Sequence, residues 1–110
     1  MTHQERVAAN FPPGSIEHEV ALFHDDLEDD LGPVPDAIYP HVLVLTRCGE
    51  TYKDYIESVR DSGDRVAIAV KIADVRDNLA RCNGEHGGYH NSNLATRYRY
   101  ALKVLATVSE

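Results

Sequence analysis

Six of the seven side chains at residues 24–30 are ionisable: His24, Asp25, Asp26, Glu28, Asp29 and Asp30. Like charges packed this closely repel one another unless a cation or a partner offsets them. On a helix His24 and Asp25 stand about 100° apart and can reach one cation. Glu28 and Asp29 fall one turn further along the side of Asp25. The same run also suits a solvated helix end, where the macrodipole makes carboxylates slightly unfavourable. A second acidic group lies in Lys71-Ile72-Ala73-Asp74-Val75-Arg76-Asp77-Asn78. There Asp74 and Asn78 share a face at i, i+4, which taken alone reads as an exposed polar stripe on an amphipathic helix.

The elements that must position these groups belong to one small domain, since 110 residues are too few for two cores. A net charge of −7, from 11 Lys and Arg against 18 Asp and Glu, excludes a general DNA, RNA or anionic-membrane surface. Runs such as Val42 to Leu45 and Val66 to Val70 are far too short to span a membrane, and no signal-peptide pattern precedes them. A cytoplasmic protein is expected. Cys48 and Cys82 have no CxxC spacing, so both read as reduced thiols.

The punctuation predicts an all-α chain of five to six helices. Thr2 and Glu5 have capping-box spacing for a helix over Gln4 to Asn10, broken by Pro12-Pro13-Gly14. Ser15 then caps a helix whose Ile16, Val20, Phe23 and Leu27 form a core stripe. Pro40 starts a short helix through Val44 and Leu45, and Tyr52, Tyr55, Ile56 and Val59 mark another, stopped by Ser62-Gly63. Val66, Ile68, Val70 and Ile72 alternate as in a strand, but the apolar pattern continues at helical spacing through Val75 and Leu79, so a helix is expected over Arg65 to Arg81. Asn83 to Asn93 reads as a loop, after which Ser92 or Asn93 caps a last helix through Tyr98, Leu102 and Leu105. His86 and His90 flank Gly87-Gly88 and are expected on the loop surface. His18 and His41 have no partner in sequence and read as ordinary surface or partly buried imidazoles.

Several segments, in order, resemble the HD-domain metal-dependent phosphohydrolases, in particular the small branch related to the hydrolase domain of RelA/SpoT homologues. His3-Gln4-Glu5-Arg6-Val7-Ala8 looks like the family's His-Pro-x-x-Val-Ala start. Ala21-Leu22-Phe23-His24-Asp25-Asp26-Leu27-Glu28-Asp29 is similar to its Leu-Leu-His-Asp-x-x-Glu-Asp signature. Leu45-Thr46-Arg47, with Glu50, Tyr52, Asp54, Tyr55 and Ile56, resembles its Leu-Thr-Arg and Glu-x-Tyr-x-x-Tyr-Ile segment. Val70-Lys71-Ile72-Ala73-Asp74 with Asp77-Asn78-Leu79 looks like its Val-Lys-Leu-Ala-Asp and Asp-Asn-Leu helix, and Arg97-Tyr98 with Ala101-Leu102 is similar to the closing one. The likeness runs from about residue 3 to residue 106.

The resemblance implies a compact HD-type helical domain in which His3, His24, Asp25 and Asp74 ligate one divalent cation, commonly manganese. Two imidazoles and two carboxylates without thiolate also suit iron or zinc, and magnesium is a further alternative. By the same likeness Glu28 and Asp29 orient the attacking water and carry its proton, Asn78 and Tyr98 meet the nucleotide, and Lys71 and Arg47 contact phosphate. The implied activity is hydrolysis of a small nucleotide, foremost removal of the 3'-pyrophosphate of the stringent-response nucleotide (p)ppGpp. HD hydrolysis of a nucleoside monophosphate or deoxynucleoside triphosphate is the alternative, followed by a non-catalytic module that binds nucleotide or a partner protein. Asp30 stands where the family has Thr, and relatives carry a basic helix ahead of the first ligand that the residues before His3 do not supply. The likeness therefore extends to the chemistry more than to the base, and it leaves the oligomeric state open.

Overall fold

A computed structural model describes residues 1–26 and 32–108. Six helices and no strand occur among them: α1 His3–Ala8, α2 Ile16–Phe23, α3 Tyr39–Val44, α4 Tyr52–Asp61, α5 Arg65–Cys82 and α6 Ser92–Ala106. The all-α expectation is met. No helix among the described residues is long and apolar enough to cross a membrane.

The central element is α5, which packs against α1, α2, α3, α4 and α6. Its buried residues, Ala67, Ile68, Val70, Ala73, Asp74, Val75 and Cys82, cover a broad arc rather than one stripe. A helix covered from several sides needs apolar residues at many phases, and this is why its first two turns imitate the alternation of a strand. Asp64 starts it, taking the Ala67 amide on Oδ1 at 3.0 Å while Oδ2 meets His41 Nδ1 at 2.6 Å. His41 therefore has a partner that lay too far along the chain to be foreseen. The rest of the core is apolar, with Val7, Val20, Val42, Ile56, Val59, Ala101 and Leu105 fully buried against it.

Three boundaries differ from expectation. α1 spans His3–Ala8 rather than Gln4 to Asn10, which brings His3 into its first turn. α2 stops at Phe23 instead of running through Leu27, which lies outside the described residues. His24 is its cap, and the ring Nδ1 donates to the Ala21 carbonyl at 2.6 Å, satisfying an end that would otherwise bind the next amide. Of the predicted stripe on this helix, Ile16 is 51% exposed and Val20 is fully buried, so the stripe is a core face for part of its length. α6 is capped by Asn91, not Ser92 or Asn93: its side chain accepts from the Leu94 amide at 3.1 Å. The Asn91 amide meanwhile donates to Cys82 O at 3.1 Å, closing the 83–91 loop between α5 and α6. Gly88 lies so close to this turn that a Cβ there would fall 2.2 Å from Arg81 O.

Candidate functional site

The first turn of α1 is fixed by the capping box seen in the sequence: Glu5 N donates to Thr2 Oγ1 at 3.1 Å and Thr2 N to Glu5 Oε1 at 2.9 Å. From it His3 reaches α5, placing Nε2 at 2.6 Å from Asp74 Oδ1 and Nδ1 at 2.5 Å from Asp77 Oδ2. His24, only 2% exposed, approaches from the end of α2. Because its Nδ1 proton goes to Ala21 O, its Nε2 is left facing Asp74 Oδ1 at 3.4 Å and Asp25 Oδ2 at 3.5 Å. Both are ion-pair distances and not hydrogen bonds, and this buried nitrogen has no hydrogen-bond partner among the described residues. A buried ring nitrogen facing two carboxylates without a hydrogen bond is a costly arrangement that a proton or a bound cation relieves. Ligand atoms of His3, His24 and Asp74 lie within 4.8 Å of one another, a donor set that could hold a divalent ion. Asp25 stands at the rim, beside His24.

Asp74 is buried, and its second oxygen takes Lys71 Nζ at 2.7 Å. Burial alone would raise its pKa, but Lys71 and the two imidazoles hold it well below the usual carboxylate range. Lys71 is raised in turn: burial opposes its charge, and Asp74 more than offsets that. Both imidazoles are also raised. Burial works against the charged ring in each, while Asp74, joined by Asp77 for His3 and by Asp25 for His24, outweighs it. The carboxylates thus favour positive charge at both rings.

Outward from the cluster opens a cleft of about 350 Å³. His3, Asp25 and Asp74 form its foot, with Arg47, Arg81, Arg97, Tyr52, Asn78 and Tyr98 among its walls. Arg97 and Arg47 lie 4.9 and 5.8 Å from the Tyr52 ring centre, and Tyr98 meets that ring edge-on at 6.2 Å. The Tyr52 hydroxyl is buried without a partner, and burial pushes its pKa up to about 12, so it remains a phenol able to donate. Its presence beside guanidinium groups suits a ligand rich in acceptor oxygens. The chain matches no family model, no curated protein and no solved structure.

Of the residues singled out from sequence, the fold brings together His3, His24, Asp25 and Asp74, with Arg47, Lys71, Asn78 and Tyr98 around the same cleft. Glu28 and Asp29 lie outside the described residues. Asn78 turns its amide toward Asp74 Oδ1 at 3.4 Å, and Lys71 spends its ammonium on Asp74 and lies 5.0 Å from the Tyr55 ring centre. Sequence reasoning passed over Tyr52, Arg81 and Arg97 as site groups. Tyr52 and Arg97 stood in segments that resemble the family's, while Arg81 carried no signal, because a polar residue on a helix looks the same whether it faces solvent or a cleft. His86 and His90 are exposed on the loop, as expected. A larger hollow of about 440 Å³ lies beside Phe11, Ile68 and Ile72, and no imidazole or carboxylate side chain lines it among the described residues.

Proposed function

We propose that the chain is a metal-dependent phosphohydrolase of a small nucleotide, foremost a (p)ppGpp 3'-pyrophosphohydrolase, working in the cytoplasm. The observation that carries this reading is the buried Nε2 of His24, without a hydrogen-bond partner among the described residues and grouped with His3 and Asp74, which line an arginine-walled cleft. A bound divalent cation, manganese first and iron, zinc or magnesium after it, supplies Lewis acidity toward a phosphoryl oxygen and acidifies water. His3, His24, Asp25 and Asp74 would hold it. Lys71 neutralises the second oxygen of Asp74, which makes it a support for the metal site more than a phosphate ligand. Arg81 and Arg97 offer planar donors to phosphate oxygens, and Arg47, whose Nε donates to Glu50 O, stands beside them. The Tyr52 hydroxyl donates to a further oxygen. Glu28 and Asp29, by resemblance, orient the attacking water and take its proton. A hollow of about 150 Å³ shares Asn78, Arg81 and Tyr98 with the cleft and extends to Tyr89, giving a ring system a place beside the phosphates.

The test is incubation of purified protein with manganese and a nucleotide panel, followed by product identification. Pyrophosphate released from (p)ppGpp is the expected result. Orthophosphate from a nucleoside monophosphate, or triphosphate from a deoxynucleoside triphosphate, moves the substrate within the same class. No turnover by protein with manganese demonstrably bound leaves a nucleotide- or partner-binding module instead.

A further inference from the structure

His3 sits in a helix of six residues, too short to hold a side chain still by itself. Its ring is fixed from α5 instead. Nδ1 lies 2.5 Å from Asp77 Oδ2 and Nε2 2.6 Å from Asp74 Oδ1; since ionised carboxylates only accept, each nitrogen of the charged ring donates, and a cation beside Asp74 would replace the proton on Nε2 while the one on Nδ1 stays with Asp77. Asp77 is anchored in turn. Arg6 donates Nε to its Oδ1 at 2.7 Å and Nη2 to its Oδ2 at 3.1 Å, a two-pronged contact, while Nη1 donates to Met1 O at 2.9 Å. His3 and Arg6 are i, i+3 on α1 and Asp74 and Asp77 are i, i+3 on α5, so the two helix faces meet as matched pairs. The Asp77 side chain is only 9% exposed, which keeps these bonds largely out of water.

We propose that Asp77, steadied by Arg6, is a positioning residue: it orients the His3 ring so that Nε2, and not Nδ1, faces the candidate metal position beside Asp74. Imidazole ligands commonly donate their second N–H to a carboxylate in this way, which fixes tautomer and ring angle. With both its oxygens engaged by His3 and Arg6, Asp77 does not itself serve as a ligand. This inference rests on the metal reading of the site. The competing role is purely structural, an ion pair that pins α1 to α5.

Titration calorimetry with MnCl2, with cobalt absorption spectra as a second readout, separates the two roles. Asp77→Ala should weaken manganese binding by about 10- to 100-fold and alter the cobalt spectrum. In a His3→Ala background, already lacking the ring to be oriented, Asp77→Ala should change the affinity by less than about twofold, since the effects of coupled residues are not additive. Asp77→Asn preserves the shape and one acceptor, so it should fold and show a smaller loss in the same direction. Wild-type affinity in Asp77→Asn, or an equal loss from Asp77→Ala in both backgrounds, overturns the positioning role. Failure of the wild-type chain itself to bind manganese or cobalt overturns the metal reading and this inference with it, and it is told apart because the defect then precedes any substitution.

Discussion

Tyr52 shows how a single polar atom separates stability from function. Its hydroxyl is buried with no partner, so deleting it removes an unsatisfied group and costs the fold little. Tyr52→Phe should therefore leave stability within about 0.5 kcal/mol of wild type or raise it, as read by urea unfolding. On the reading of the cleft as a phosphate site, the same change should lower kcat/KM by roughly tenfold, equivalent to about 1.4 kcal/mol of a lost donor. Unchanged kcat/KM would remove Tyr52 from the substrate's contacts. The candidate residues His24, Asp25 and Asp74 were legible in the sequence because their segments resemble a family's signatures, whereas taken alone Asp74 read as part of an exposed stripe. Their arrangement was not. Asp74 gathers His3 from 71 positions away, and no periodicity rule reports which distant side chain a helix face will meet.

Helices were legible as elements because their stop signals are chemical: Pro12-Pro13-Gly14 and Ser62-Gly63 interrupt the chain where the structure does. Their ends were less so, since an end is decided by which side chain captures an orphan amide or carbonyl. Ser92 and Asn93 are as good a pair of caps by type as Asn91, yet Asn91 has the extended backbone, φ −146° and ψ 94°, that turns its side chain onto the Leu94 amide. Asn91→Ala should cost about 1 kcal/mol in denaturant unfolding, whereas Ser92→Ala and Asn93→Ala should each cost less than about 0.5 kcal/mol. Equal losses at all three positions would mean that the cap is shared. The early end of α2 has the same origin. His24 caps Ala21 with its own ring, so the residue that ends the helix also presents the bare nitrogen of the site.

At the scale of the molecule, the −7 net charge includes carboxylates drawn inward around two imidazoles, and that arrangement ties stability to pH in a way that metal should reverse. Without a divalent ion, His3 and His24 have folded pKa values above their unfolded value of 6.5. Their contribution is therefore complete below pH 6.5 and is lost as the pH rises through the raised values. Asp74 and Asp77 are shifted the other way, below 3.8, so theirs is complete above that value and fades as the pH falls through the lowered ones. The apo chain should be most stable between about pH 4 and 6.5 and should lose stability toward pH 8. Manganese requires both imidazoles deprotonated, so the stabilisation it confers should grow over the same interval. At free manganese a hundredfold above the dissociation constant, the gain is about 2.7 kcal/mol. Thermal melts from pH 5 to 8, with EDTA or with excess manganese, should give curves that diverge as the pH rises. Parallel curves would mean that the ion binds outside the imidazole cluster, and a manganese effect largest at pH 5 would assign it to exposed carboxylates.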